Sequence, residues 1–159
     1  MARDVITEDD EAIADRTRRF REAALPCLDD AYRLAYFLLR DRADAEDAVQ
    51  QCFVRAQRCF DNQRGPAIKP WLLAIVRSVC QTDVTRHGQH ETVAQEGPPI
   101  SQLLGALPPQ LRETIFLREC SRMSYREIAE VTGVSSGAVM SRLAQARAML
   151  SAAEREATM

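Results

Sequence analysis

The side chains of this sequence that could do chemistry favour contact with nucleic acid over catalysis. Hydroxyl, amide and guanidinium groups, together with one methionine, recur near the carboxyl end at Ser135, Ser136, Met140, Ser141, Arg142, Gln145 and Arg147. Arginine and glutamine can make paired hydrogen bonds to base edges, and serine and arginine can hold phosphate. The pattern predicts a DNA-contacting surface if these residues share one helix.

Catalytic and metal-binding chemistry is not indicated. No nucleophile–base pair, phosphate-binding loop or metal cluster is evident in the sequence, so we expect neither enzymatic activity nor a cofactor. The cysteines are odd in number and form no CxxC pair; they are Cys27, Cys52, Cys59, Cys80 and Cys120. Reduced, buried thiols are therefore expected. Cys80, His87 and His90 lack a fourth partner for zinc, so solvated loop histidines are expected instead.

Two short helices are predicted to position the DNA-contacting side chains. Ser124 to Glu127 has the form of a capping box, so a helix should begin at Tyr125 and end near Gly133, which adopts a left-handed conformation at little cost. Ser135 can cap the next helix, whose inward residues would be Val139, Leu143, Ala146 and Leu150. A preceding helix should run from Leu107-Pro108-Pro109 to about Glu119.

The spacing of this pair is typical of a helix-turn-helix. Ala129 supplies a small residue where two helices cross, Gly133 the turn, and Val139 a β-branched residue that holds the second helix on the first. An ordinary αα-hairpin is the alternative. The three matches and both caps favour the DNA-binding motif.

A separate group of helices is predicted in the first half. One has apolar residues at three-and-four spacing, at Ala45, Ala48, Val49, Cys52, Phe53, Ala56, Cys59 and Phe60. Its other side is polar, and a preceding segment at about 28–40 can pack against it, using Leu28 among others. A third helix should bury Ile68, Trp71, Leu72, Ile75, Val76 and Val79, with Pro70 in its first turn. The result would be a three- or four-helix bundle with Trp71 as its largest core residue.

Composition and patterning divide the chain. Few Gly (6) and Pro (7) with abundant Ala, Leu, Arg and Glu favour an all-α protein. No apolar run approaches the roughly 18 residues of a membrane span, so a cytoplasmic protein is expected. The stretch 87–102 holds two Gly and two Pro without an amphipathic period. We therefore predict a flexible linker there between two small helical domains, 20–86 and 103–152, with a tail at 153–159.

The net charge of -2 hides alternating blocks. Residues 1–15 carry one arginine against six acids, whereas residues 16–26 carry four arginines against one glutamate. The acidic extension at 1–19 is expected to be disordered over its first fifteen residues, and an acidic interaction or autoinhibitory arm is the alternative. An acidic leader followed by basic blocks suits a nucleic-acid binder, although solvated helix faces would look similar.

Blocks of this sequence resemble, in order, the extracytoplasmic-function (ECF) group of bacterial sigma factors, the minimal form with regions 2 and 4 only. The resemblance spans roughly Phe20 to Leu150. Residues 41–50 (DRADAEDAVQ) and 53–56 (FVRA) are similar to the core-binding stretch of region 2, and 71–77 (WLLAIVR) to its end. The stretches similar to region 4 are 107–109 (LPP), 116–119 (FLRE), 124–130 (SYREIAE) and 141–147 (SRLAQAR).

The resemblance implies a non-catalytic transcription initiation factor that binds core RNA polymerase and directs it to promoters. Region 4 would read the -35 element in the major groove and rest on the β flap, and the linker would thread through the polymerase. Region 2 would bind the β' clamp through Glu46, Asp47, Gln50 and Arg55. It would also help open the -10 element and capture an unstacked base, through Arg58, Asn62, Arg64, Arg77, Ser78 and Arg86. An anti-sigma factor is a further implied partner.

Several positions depart from the family's usual sequence. Ala138 replaces a hydroxyl, and Met140 and Gln145 replace cations, so weaker duplex binding is expected. Gln145 could instead shift base preference toward adenine. Gln57 stands where an aromatic is common, and Ser78 where Asn is common. Two other functions stay open: a sigma-like module that engages polymerase or an anti-sigma factor with weak DNA reading, and a conventional dimeric helix-turn-helix regulator.

Overall fold

The computed structural model describes residues 7–62, 67–87 and 99–159, and side chains at 7–61, 67–82 and 102–159. Every regular element in these ranges is a helix, so the all-α prediction is confirmed. Internal contacts divide the chain into two compact units, Met1–Cys80 and Gln81–Met159. Within the described ranges, we find no helix with the length and apolar character needed to cross a membrane.

The first unit is built from consecutive helices. Helix α1 spans Glu8–Ala24, α2 spans Leu28–Leu39 after a short 3-10 turn, and α3 spans Arg42–Cys59. Another 3-10 turn covers Phe60–Asn62, and α4 runs over Ile68–His87, across the division between the units.

Helix α1 includes most of the residues for which we predicted disorder. The prediction was wrong from Glu8 onward, because Thr7 and Asp10 form a reciprocal capping box at the start of α1. Acidic residues occupy the first turn, where they face the positive end of the helix dipole. Phe20 and Ala24 are buried and attach the helix to the core.

Helices α2 and α3 form the centre of the first unit. Arg40 ends α2 in a left-handed conformation (φ 59°), and Asp41 caps α3 by accepting a hydrogen bond from the Asp44 backbone N–H at 2.9 Å. Small side chains line the buried side of α3 at Ala45, Ala48, Cys52 and Ala56, all without solvent exposure. Because these side chains are short, α2 can approach α3 closely, and its Ala31, Leu34 and Ala35 are fully buried as well.

The buried side of α4 differs from the predicted one. Leu72, Leu73, Val76, Val79 and Cys80 are buried, whereas Ile68, Trp71 and Ile75 are partly exposed. The face is thus rotated from the predicted stripe toward Leu73 and Cys80, which leaves Trp71 at its edge. Trp71 is not the largest core residue; Leu34, Leu72 and Leu73 are the large, fully enclosed side chains of this unit. Leu28 is also more exposed than expected, at 40%.

The second unit contains four described helices: α5 (Pro99–Gly105), α6 (Pro109–Glu119), α7 (Tyr125–Thr132) and α8 (Ser136–Ala157). The bounds of α6 and α7 agree with the sequence prediction. Backbone helix begins at Pro99, inside the predicted linker, of which residues 88–98 lie outside the described ranges. The core of the unit consists of Leu107, Leu111, Ile115, Leu117, Met123, Ile128, Val131, Val139, Leu143 and Ala146.

The cysteines divide into two classes. Cys27, Cys52 and Cys80 are buried, as expected, whereas Cys59, the last residue of α3, and Cys120, which follows α6, are exposed. Burial, with Cys80 nearby, raises the pKa of the Cys52 thiol to about 12, so this thiol stays protonated at neutral pH. The side chains of His87 and His90, considered above for zinc, lie outside the described residues.

Candidate functional site

The helix-turn-helix is held by hydrogen bonds at the ends of its helices. The Ser124 hydroxyl accepts from the Glu127 backbone N–H, and the Glu127 carboxylate accepts from the Ser124 N–H, both at 3.2 Å. Gly133 ends α7 at φ 73°, and its N–H donates to the Ala129 carbonyl at 2.9 Å. The Ser135 hydroxyl then accepts from the Ala138 N–H at 3.1 Å. The predicted caps of both helices are confirmed.

Packing of α7 on α8 determines which side of α8 is exposed. Ile128 and Val131 of α7 are buried, as are Val139 and Leu143 of α8. On the exposed side of α8, or at its cap, lie Ser135, Ser136, Met140, Ser141, Gln145 and Arg147, with Arg142 half-buried. Ala146 is buried on the inner side and Leu150 only partly, so the predicted inward stripe weakens toward the carboxyl end. The candidate DNA-contacting side chains therefore lie on one outward-facing helix.

Arg147 has side-chain partners on two other helices of the unit. Its guanidinium lies 3.3 Å from the Glu119 carboxylate. Hydrogen bonding to Tyr125, and then to Glu119, raises the pKa of Arg147. Arg147 thus links α8 to the end of α6 and the start of α7. Its charge is partly balanced before any ligand arrives.

Tyr125 makes contacts that the sequence did not predict. The Arg118 guanidinium lies over the Tyr125 ring, 5.0 Å from its centroid, and donates to the Met123 carbonyl at 2.8 Å. Tyr125 therefore interacts with arginines from both neighbouring helices, Arg118 of α6 and Arg147 of α8. Sequence spacing carries no signal for such contacts, because the three residues come from three helices.

The outer side of α3 carries the residues assigned to polymerase binding. Glu46, Asp47, Gln50 and Arg55 are all exposed, opposite the buried small residues of this helix. A shallow depression along α3 is lined by Asp47, Gln50, Gln51, Val54, Arg55, Arg58 and Cys59. Val54 is 53% exposed and gives this polar surface an apolar centre that the sequence analysis did not identify. The sequence does contain a signal for this apolar centre, because Val54 is a β-branched apolar residue among the polar positions of α3.

The residues assigned to the -10 element are only partly described. Arg58 is exposed in the last turn of α3, while Arg77 (half-buried) and Ser78 (exposed) lie on α4. Arg64 falls outside the described residues, and for Asn62 and Arg86 the backbone alone is described.

Comparison with known families identifies both units. Residues 26–90 match the family described as "Sigma-70 region 2", and residues 99–150 match "Sigma-70, region 4". The chain belongs to the sigma-70 family, as an ECF sigma factor with regions 2 and 4. Region 4 includes the helix-turn-helix of α7 and α8, and region 2 includes α2 and α3.

A curated relative agrees with this assignment. The chain is 30% identical to the "ECF RNA polymerase sigma factor SigE" of Mycolicibacterium smegmatis, over 81% of this chain and 62% of that protein. This sigma factor thus spans somewhat less than two thirds of the length of that relative.

Solved structures of similar fold contain partner proteins. The sigma factor RpoE of Bartonella quintana, in complex with the anti-sigma factor NepR, aligns with a TM-score of 0.72 at 24% identity, over 84% of this chain and 94% of that one. CnrH, in complex with the cytosolic domain of CnrY, aligns with a TM-score of 0.69 at 25% identity, over 92% and 94%. The likeness to RpoE concerns the fold alone.

The turn between α7 and α8 provides a test of the helix-turn-helix geometry. Gly133→Ala should destabilise region 4 by about 1 to 2 kcal/mol, because an L side chain is strained at φ 73° even though no atom lies within 4 Å of the new Cβ. Hydrogen exchange at the buried Val139 and Leu143 amides measures this local free energy of opening.

Gly137→Ala is the matched control. Gly137 lies inside α8, where a Cβ would meet only the Ser135 hydroxyl at 3.9 Å, so alanine should stabilise the helix by up to about 1 kcal/mol. Shifts of the same sign at both positions would contradict the proposed role of the left-handed turn.

Proposed function

We propose that this chain is a promoter-recognition subunit of RNA polymerase, which binds the core enzyme and directs it to -10 and -35 elements. The observation that carries the proposal is the presence of both sigma regions in order, with a fully capped helix-turn-helix in the second. Neither region accounts for the function alone, since a conventional regulator would need only the helix-turn-helix. Such a subunit would act in the cytoplasm, where the polymerase and DNA are.

Reading of the -35 element is assigned to the outward side of α8. Ser136, Ser141 and Gln145 are exposed and can donate to phosphate or base edges. Arg142 contributes a cation half-buried at the helix surface. The amino end of α8 is capped by Ser135, which leaves the recognition helix well ordered from its first turn.

Strand capture at the -10 element is assigned to region 2. Arg58, at the end of α3, supplies an exposed cation there, and Arg77 and Ser78 of α4 are the other described candidates. Asn62, Arg64 and Arg86 complete the set on the family resemblance. Unpaired DNA is bound by cations that lie along the backbone of the strand and by polar groups that hydrogen-bond to its unstacked bases.

Binding of the β' clamp is assigned to the outer side of α3, and contact with the β flap to region 4. The α3 surface combines acidic, amide and basic side chains around the exposed Val54. A polar rim about an apolar centre is the usual composition of a protein–protein interface. This face is already opposite the core of region 2, so a partner can bind it without unfolding the domain.

An anti-sigma factor is proposed as a second protein partner. CnrH, which covers nearly the same length as this chain, binds the cytosolic domain of CnrY in its solved structure. A partner that covered the α3 surface would exclude core polymerase and so hold the factor inactive.

Transcription reconstituted from purified components tests the whole proposal. Core polymerase supplemented with this chain should produce specific run-off transcripts from genomic DNA, whereas core polymerase alone should not. Absence of any specific transcript, with a known sigma factor active in the same assay, would refute the proposal.

The α3 surface predicts an effect of charge reversal. Asp47→Arg should weaken binding to core polymerase by about tenfold, since it reverses a charge in the polar rim of the proposed interface and opposes the charge complementarity there. Glu22→Arg, an exposed reversal near the end of α1, is the control and should leave the affinity unchanged. Fluorescence anisotropy of the labelled chain measures both. Equal effects at the two positions would mean that net charge, and not the α3 surface, governs binding.

A second candidate function is favoured by Ala138, Met140 and Gln145: a module that binds polymerase but reads duplex DNA weakly. Met140→Lys together with Gln145→Arg should strengthen -35 binding and steepen log K against log salt by up to about 1.8, at about 0.9 for each added phosphate contact. Met149→Lys is the control, because Met149 is exposed on the same helix but lies beyond the proposed DNA contacts.

Titration of the -35 duplex at several salt concentrations separates the two functions. Measurable specific binding before substitution supports a promoter-reading factor, with Gln145 altering base preference. Specific binding that appears only after both substitutions supports the weak-reading module.

A further inference from the structure

Helix α1 contacts the carboxyl end of α3 through one guanidinium. Nη2 of Arg16 donates to the backbone carbonyls of Gln57 at 3.2 Å and Arg58 at 3.1 Å. Nε of the same side chain lies 2.9 Å from the Asp61 carboxylate. One side chain therefore binds the last turn of α3 and the 3-10 turn that follows it.

These carbonyls belong to the part of a helix that lacks internal partners. The last four C=O groups of an α-helix accept no bond from within it, and a cation there also meets the negative end of the helix dipole. α3 ends at Cys59, so Gln57 and Arg58 contribute carbonyls of this kind. Arg16 acts as a C-terminal cap supplied from another helix.

Neighbouring residues of α1 attach it to the same part of α3. The Thr17 hydroxyl accepts a hydrogen bond from the Gln57 side-chain amide at 3.2 Å. One turn after Arg16, the buried Phe20 ring meets Phe53 and Phe60 edge-on, with centroids 6.1 and 5.5 Å apart. Because Phe20 holds α1 in place, the Arg16 guanidinium is aimed at the end of α3 at little further cost in entropy.

The contacts meet at Arg58, whose side chain is exposed and assigned above to the -10 element. We infer that Arg16 is a positioning residue for promoter opening, which holds the Arg58 backbone and the turn after it where they can engage the unpaired strand. The inference rests on the proposed function. It concerns opening, since Arg16 contacts the end of α3 and the turn that follows it, where Arg58 lies.

Relative strengths decide which partners of Arg16 matter. The Arg16 and Asp61 side chains are 36% and 58% exposed, and an exposed ion pair contributes little. Hydrogen bonds from a charged donor to backbone carbonyls at a helix end contribute more. Removal of the guanidinium should therefore matter more than removal of the Asp61 charge.

Open-complex formation by holoenzyme containing the full chain tests the inference. Permanganate reactivity of -10 thymines is compared on a promoter identified by the run-off experiment, alongside core affinity and binding of the -35 duplex. Arg16→Ala should reduce open complexes about tenfold while the two affinities stay within about twofold. Asp61→Asn should reduce opening by no more than about threefold. Arg16→Lys should lie between, since an ammonium can still donate to the carbonyls.

Arg19→Ala is the matched control, because Arg19 lies on the same helix and forms a local ion pair with Asp15 at 3.1 Å. It should open the promoter normally. Unchanged opening by Arg16→Ala overturns the inference, as does an equal fall in opening, core affinity and -35 binding, which would indicate a general loss of folding. Failure of the unaltered chain to open any promoter would instead overturn the proposed function, and this inference with it.

Discussion

Close packing of α3 against α2 is the interaction on which the first domain depends. Ala45, Ala48, Cys52 and Ala56 present so little side chain that the two helices can meet with no solvent between them. The contact with α2 uses one side of α3, and α1 contacts another near its carboxyl end. The exposed outer side carries the polar residues assigned to polymerase and DNA. The same helix thus supplies both the core and the proposed interface.

Helix ends are the second constraint, and local and distant residues both help to satisfy them. Thr7, Asp41, Ser124 and Ser135 cap amino ends with their own side chains, which are local in sequence. The carboxyl end of α3 has a partner more than forty residues away, in Arg16. The distant cap therefore links the position of a proposed DNA-contacting residue to the docking of α1.

Contacts within the unit change how strongly a charged side chain can act on a ligand. Arg147 belongs to the outward set of α8 by spacing, yet Tyr125 and Glu119 engage it within the unit. An arginine held in this way is oriented, and its field at the surface is reduced by the adjacent carboxylate. Among the candidate DNA-contacting residues of α8, Arg142 is the other cation, so the neutral Met140 and Gln145 become more consequential.

Local signals in the sequence determined the helix-turn-helix, including Ser124, Gly133 and Ser135, because caps and left-handed turns depend on residues within four positions of one another. They also determined the polar and apolar sides of α3. The tertiary structure alone decided the rotation of α4, which leaves Trp71 at the edge of the core, and the order of α1, whose acidic start resembles a disordered leader in composition. Both depend on what a helix packs against. The contacts of Arg16 and Arg147 likewise join residues far apart in the chain. The periodicity of one helix shows which side is apolar, but it does not predict which residue of another helix will be a partner.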